Sequence, residues 1–388
     1  MYKITTFNKI SESGMQLLMP EKYQVTPEDL TDTDAIVLRS HKMHDLALPS
    51  SLVAIARAGA GVNNIPVEKC SEKGIVVFNA PGANANGVKE LTLLSLLLSS
   101  RKVYDGITWV NSLEKDVEKQ VEKGKSQFEG PEISGKTLGV IGLGAIGVLV
   151  ANMGIKLGMR VIGYDPYISV QKAIGLSWDV SYSSSLNELL RESDYISLHI
   201  PLMDDTKYFM DKNKLSKMKS GSKLINMSRG GLVDDDAVVE AIEGGIIDRY
   251  VTDFPTDKLV KQNGVICIPH LGASTPESEE NCARMAVEQL MDYLENGNIS
   301  NSVNFPDCYM DHIPNTNRIV ILNRNIPSMI SSLSAVFAKH QINIVSMVNK
   351  SKGDYACNII DIEPNKGNGA KLEELKKING IINVRQVY

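Results

Sequence analysis

The run TLGVIGLGAIG, residues 137–147, sets Gly142, Gly144 and Gly147 in G-x-G-x-x-G register, directly after an apolar segment and ahead of a helical pattern. Small residues at those positions allow a tight turn, let the backbone approach a pyrophosphate, and let helix and strand pack closely. Ala145 and Ile146 fill the turn, and the helix that follows presents free N–H groups to an anion. The next apolar run, RVIGYDP, ends at Asp165, 18 residues beyond Gly147. A carboxylate there accepts hydrogen bonds from ribose hydroxyls and repels a 2′-phosphate. Residues 166–171 hold no arginine to neutralise such a phosphate, so the pattern points to NAD rather than NADP.

Two further places carry residue types suited to acid–base work and anion recognition. CIPHLGAST, 267–275, puts His270 between a short apolar run and a turn. A neutral imidazole there could move a proton near pH 7, or could equally be a packed side chain. LRSHKMHD, 38–45, follows a strand-like segment and gathers Arg39, Ser40, His41 and Lys42, donors suited to a dianion or else a solvated basic turn. Metal chemistry is not implied: no His, Cys, Asp or Glu cluster has ligand spacing.

Elements that position these residues can be read from periodicity. Short apolar strands with turn-rich connections fill residues 1 to about 95, and a long apolar helix runs from about Val88 past Tyr104 into a polar, exposed continuation. From Gly135 apolar strands recur every 20 to 35 residues with helical patterns between them, the pattern of a doubly wound parallel sheet. A helix over about 276–296 leads to NGNISNSVNFPD, which reads as a linker. The last stretch reads strand, helix, strand, strand, helix, strand, a ferredoxin-like βαββαβ module. These readings divide the chain into a substrate-binding domain (1–95 and 276–303), an NAD-binding domain (96–275), a linker (304–314) and a C-terminal domain (315–388).

Composition bounds the classes. With 388 residues, 43% apolar and 22% charged, the chain is expected to be a soluble globular protein of two or three domains. A net charge of −5 argues against nucleic acid as the partner. Five scattered cysteines without C-x-x-C spacing point to reduced thiols. The N-terminus lacks a signal-peptide apolar core, and LTLLSLLLSS is too short to span a bilayer, so a cytoplasmic location and no membrane partner are expected.

With those motifs in place, residues 35–300 resemble the D-isomer-specific 2-hydroxyacid dehydrogenases. The resemblance rests on ARAGAGVNNI (56–65), NAPGANANGVKELTL (79–93), INMSRGGLVDDDAV (225–238) and CIPHLGAST, in this order around the dinucleotide motif. It implies an α/β fold in which a Rossmann-type cofactor domain is inserted in a smaller flavodoxin-like substrate domain. It implies Arg229 as the substrate-carboxylate clamp and His270 as the general base. Ile200, Met227, Ser228, Arg229, Thr252, Asp253, His270, Gly272 and Ala273 would line the cofactor, and Ala60, Gly61 and Asn84 the substrate, beside Arg39, Ser40 and Lys42. The family's catalytic acid follows an Asp-Val-Phe sequence and precedes a proline; here the text is VTDFPTDKL. Alignment on Phe254 places Asp257 at the acid and Thr252 at a cofactor-binding position usually held by Asp. Asp257 is favoured because neighbouring strand residues point to opposite faces, and Asp253 remains the rival.

Within the family the chain is most similar to the phosphoglycerate dehydrogenase branch. The Arg39–Ser40 pair, VNFPD at the junction, the ending VRQVY, and a C-terminal module resembling an ACT domain carry that likeness. It implies oxidation of D-3-phosphoglycerate to 3-phosphohydroxypyruvate, the first step of L-serine synthesis, by a homodimer or homotetramer. The alternatives are a glycerate, glyoxylate or hydroxypyruvate reductase, a dehydrogenase whose tail only dimerises, or an NAD-binding corepressor-like protein. Serine-inhibited relatives carry His-x-Asn-x-Pro-Gly after the first ACT strand. Here Asn323 replaces the His, Asn325 is retained, Ser328 replaces the Gly, and Asn343 matches a further ligand-contacting Asn, a set that could hold an amino-acid effector at a dimer interface.

Overall fold

The structure is a computed structural model describing residues 1–364 and 368–388. The chain divides into two compact units, Met1–Asn84 with Pro276–Tyr388, and Ala85–Thr275. The second unit is thus an insertion in the first.

The first unit opens with five parallel strands, β1 (Tyr2–Phe7), β2 (Tyr23–Pro27), β3 (Ala35–Leu38), β4 (Ala54–Arg57) and β5 (Val76–Phe78), in the order β2-β1-β3-β4-β5. Its central strands are buried on both faces, which is why they read as continuous apolar runs rather than alternating ones. Ile36, Leu38, Ile55 and Val77 face one core; Ala35, Val37, Ala54, Ala56 and Phe78 face the other. That second core is closed by the helix Pro276–Asn296, whose buried stripe recurs at Ala283, Val287, Leu290 and Leu294. Truncating Leu290 to Ala there removes roughly 2–5 kcal/mol.

The inserted unit is a seven-stranded, all-parallel sheet: β6 (Thr137–Ile141), β7 (Arg160–Tyr164), β8 (Ser181–Tyr182), β9 (Tyr195–Leu198), β10 (Ser222–Asn226), β11 (Ile247–Thr252) and β12 (Val265–Cys267). The order β12-β11-β10-β9-β6-β7-β8 reverses direction between β6 and β9, the crevice where doubly wound folds bind ligands. Helices Ala85–Ser100 and Ala145–Lys156 share the core on one face, and Leu186–Glu192 and Asp235–Glu243 that on the other.

Two expected boundaries move. The Ala85–Ser100 helix packs Val88 and Leu96 into the core of the inserted unit, so the division falls after Asn84 and not at 95. The helix also ends at Ser100, whose hydroxyl donates to the Pro131 carbonyl and receives that of Tyr195; a separate helix begins at Val103. The polar continuation forms short exposed helices over Val117–Gly124 and Lys125–Phe128, as read.

The C-terminal module has β13 (Asn317–Arg324), β14 (Ile344–Lys352), β15 (Tyr355–Ile362) and β16 (Ile381–Gln386) in the antiparallel order β14-β15-β13-β16 expected of βαββαβ. Ile319, Ile321, Ile360 and Ile362 pack on its helix Met329–Lys339. The opposite face, Val320, Leu322, Cys357 and Ile359, belongs to the core of the first unit. The linker reading of 304–314 therefore fails: Phe305 and Cys308 are fully buried, and Cys308 bridges to Ile299. Docking is polar as well. Arg318, without solvent exposure, pairs through Nε and Nη2 with Asp361 at 2.7 and 2.8 Å. Its remaining N–H groups donate to the carbonyls of Asn296, Met310 and Asp311. Arg385 caps the same helix end through the Leu294 and Tyr293 carbonyls.

Candidate active site

The glycine loop follows β6. Gly142 has φ +90°, and a Cβ there would stand 2.6 Å from the His199 carbonyl. A Cβ on Gly147 would fall 1.8 Å from the Gly142 carbonyl, so this helix start cannot pack as it does with any larger residue. Gly144 differs: nothing lies within 4 Å of the place its Cβ would take. It is the N-cap residue of the Ala145–Lys156 helix, and no side chain caps the N–H groups of the first turn, which includes Ala145 and Ile146. Asp165, just past β7, latches the loop by accepting from the Leu143 and Tyr167 backbone N–H groups at 2.8 and 2.9 Å. Across the crevice, burial pushes His199 down to about 3, so this imidazole is neutral, and Ser228 Oγ donates to the Ile200 carbonyl. An uncapped helix start, an open cradle over Gly144 and an adjacent acid fit a pyrophosphate and a ribose.

After β10, Asn226 holds the Arg229 turn from both sides: its amide donates to the Arg229 carbonyl at 2.9 Å and its oxygen accepts from Ser228 N–H at 3.1 Å. Arg229 is exposed, with a recorded hydrogen bond only to the Ser228 carbonyl. Met227 is buried beneath it. His270 is exposed and lies over the Phe254 ring, centroids 4.7 Å apart. His270, Phe254, Asn226 and Tyr250 line one cavity of about 790 Å³.

The two candidate acids both border that cavity and are placed differently. Asp257 is exposed, on a loop tied away to the first turn of the Asp235–Glu243 helix: Thr256 Oγ1 donates to Asp235 at 2.7 Å and Lys258 pairs with Asp236. Among the described residues neither it nor Asp253 forms a hydrogen bond or an ion pair with His270. Asp253 is 1% exposed, and neither carboxylate oxygen is in a hydrogen bond of ordinary geometry. Burial pushes its carboxyl up, while His270, the Gly272 N–H and Arg229 favour its charged form. Thr252 is fully buried, and its hydroxyl accepts from the Phe254 N–H. Gly272 is buried beside Asp253, and Ala273 is half-buried.

In the first unit, Ser40, Lys42, His44, Arg57, Asn63 and Asn64 line a pocket of about 530 Å³. Asn8 fixes its rim by accepting from the Ser40 and His41 N–H groups. Arg39 is turned elsewhere, into an ion pair with Glu279 at 2.7 Å. Arg57 supplies the guanidinium instead; it lies where a Cβ on Gly59 would be, 2.3 Å from Nη1. The sequence reading passed over Arg57, although it is the one cation of ARAGAGVNNI. The Ala60 carbonyl accepts from Asn79, Gly61 shares the turn, and Asn84 ends this part of the unit half-buried.

The three asparagines read as an effector set do not meet. Asn323 is buried, its amide spent on the Arg324 carbonyl and its oxygen on Asn358. Asn325 donates to Gly353 and Asn343 to Glu363, on opposite ends of β14. That strand has nine residues, about 30 Å at strand rise. One chain cannot close them on a single amino acid.

A family model for the NAD-binding domain of D-isomer specific 2-hydroxyacid dehydrogenases matches residues 94–272. A D-3-phosphoglycerate dehydrogenase of Haemophilus influenzae is 31% identical over 87% of this chain and 82% of its own length. The chain belongs to the D-2-hydroxyacid dehydrogenases. It is an oxidoreductase of that family and binds NAD. A D-3-phosphoglycerate dehydrogenase of Methanocaldococcus jannaschii is 36% identical over 72% of the chain, which spans only 53% of that protein. A hydroxypyruvate reductase of Thermotoga maritima is 35% identical over 76% of the chain and 98% of its own length. Among solved structures, NAD⁺-bound 3-phosphoglycerate dehydrogenase from Entamoeba histolytica matches with a TM-score of 0.60 at 26% identity, covering 78% of this chain and 98% of that one. No helix of the described residues is long and apolar enough to cross a membrane, and no metal-binding cluster occurs among them.

Proposed function

We propose that this D-2-hydroxyacid dehydrogenase oxidises D-3-phosphoglycerate to 3-phosphohydroxypyruvate, the first step of L-serine synthesis. The observation that carries the reading is the pocket of the first unit: Lys42 and Arg57 line it with His44, Ser40 and two asparagines, and no carboxylate is among them. A dianionic phosphate suits that donor set; an unphosphorylated hydroxy acid has no use for it.

NAD, held by the Gly142–Gly147 loop and Asp165, supplies the acceptor for the hydride. The protein's own residues do the rest. Arg229 presents a guanidinium fork to the substrate carboxylate, fixing the carbon that loses hydride, with its turn pinned by Asn226. His270 accepts the hydroxyl proton as the carbonyl forms and returns it in the reverse direction.

The test follows NADH formation with a panel of D-2-hydroxy acids, including 3-phosphoglycerate and glycerate, with a trap for the keto product. Phosphoglycerate should lead. Arg57→Ala should lower kcat/KM for it by roughly 10–150-fold, the worth of a charge-assisted hydrogen bond of about 1.5–3 kcal/mol, and barely change that for glycerate. Equal turnover with and without the phosphate overturns the reading and favours a hydroxypyruvate- or glyoxylate-type enzyme.

A further inference from the structure

A carboxylate removed from water without hydrogen bonds is expensive to maintain, and such expense persists where a site uses it. Asp253 is in that position. It follows the last residue of β11, is 1% exposed, and faces the Gly272 N–H and its own backbone N–H without a hydrogen bond of ordinary geometry. Its Oδ2 lies 3.5 Å from where a Cβ on Gly272 would stand, which places the carboxylate against the turn that begins at His270.

We infer that Asp253, and not Asp257, is the carboxylate that supports His270 in this chain. This rests on the reading of His270 as the base, and assigns a positioning residue to it. The charged groups around the cavity fix the competition. Arg229 approaches from the β10 turn and favours the ionised form of Asp253. Asp234, Asp235 and Asp236 border the cavity from the start of the Asp235–Glu243 helix, and all three are already engaged, Asp234 by the Asp236 and Ala237 N–H groups it caps, Asp235 by Thr256 and Asp236 by Lys258. Asp257 shares the loop that these contacts fasten down. Of the carboxylates lining the cavity, Asp253 alone is both buried and unpaired by a hydrogen bond. As His270 takes the substrate proton, the imidazolium gains a counter-charge already in place.

The experiment compares Asp253→Asn with Asp257→Asn in the full-length enzyme, Asn being isosteric in each case. The pH profile of kcat/KM is recorded with whichever D-2-hydroxy acid turns over best, so the substrate assignment can fail without affecting the outcome. The second readout needs no substrate: the rate of carbethoxylation at His270 by diethyl pyrocarbonate, read by peptide mass mapping, which reports the neutral imidazole. Loss of a neighbouring carboxylate removes a charge that favours the imidazolium. Asp253→Asn should therefore move the acid limb of the profile to lower pH and speed carbethoxylation at acid pH several-fold. Asp257→Asn should leave both unchanged. The converse pattern, equal shifts in both variants, or no shift in either would overturn the assignment. A merely structural Asp253 would lower activity without moving either readout, and that too would overturn it.

Discussion

Gly144→Ala separates the two jobs of the glycine loop. Gly144 has φ −73° and ψ −162°, which alanine adopts without strain, and the new methyl would meet no protein atom within 4 Å. Reduced freedom of the unfolded chain adds about 0.4–1 kcal/mol, and a poorer N-cap removes a similar amount, so unliganded stability should change by no more than about 0.5 kcal/mol. In the proposed reading, the open space is where the pyrophosphate approaches the helix N–H groups. Losing one charge-assisted hydrogen bond costs about 1.5–3 kcal/mol, or roughly 10–150-fold in Kd. The assay is urea unfolding with and without NAD. At 100 times its Kd, NAD should stabilise the wild type by about 2.7 kcal/mol; with Kd raised 100-fold, the same concentration should give only about 0.4 kcal/mol. Gly147→Ala is the contrast, since its methyl would stand 1.8 Å from the Gly142 carbonyl and should lower stability and affinity together. A Gly144→Ala enzyme with the full NAD-induced gain would refute the argument that phosphate reaches the backbone here.

Breaking the buried Arg318–Asp361 pair with Arg318→Ala should cost about 3–5 kcal/mol in unfolding, because Asp361 is left charged and dry; the Arg318→Met/Asp361→Leu double variant should lose less, and a single-variant loss under about 1 kcal/mol would show that the pair does not anchor the module. Asp165→Asn should raise the NADP:NAD ratio of kcat/KM by on the order of tenfold while weakening NAD itself, since one of the two backbone latches is lost. Asp253→Asn should be more stable than the wild type at pH 8, with the gap closing toward pH 3. Burial raises the folded-state pKa of Asp253, so the folded chain holds its proton more tightly, and wild-type stability falls as pH rises through and above the usual carboxylate range. Thermal unfolding across that range checks the sign, and a variant that gains nothing at pH 8 contradicts it.

Both parallel sheets and the C-terminal module were legible in the sequence because each rests on local pattern. Strands buried on both faces announce themselves as apolar runs, and the glycine register names its own turn. What escaped was set by partners distant in the chain. The ion pair of Arg39 with Glu279 needs the helix at Pro276–Asn296, and Arg57, passed over in the sequence, folds its guanidinium over Gly59 and lines the pocket. The 304–314 stretch is polar enough to read as a linker, yet Phe305 and Cys308 fill a core whose other wall is β13 and β15. Within one chain the effector asparagines stand apart, because β14 lies between two of them.

The acid shows why a site is harder to read than a sheet. Alternation along a strand argued that Thr252 and Asp253 face opposite ways and so passed the role to Asp257. But β11 ends at Thr252, and beyond a strand end the period of two no longer governs direction. There the chain turns, Phe254 comes under the His270 ring, and Asp253 enters the space beside Gly272. The Thr256 and Lys258 contacts meanwhile fasten the next loop to the acidic helix start, leaving Asp257 in solvent. Spacing in the sequence constrains which carboxylates can reach the imidazole; in the inference for Asp253, desolvation adds to this, because the same charge is worth several times more out of water than in it.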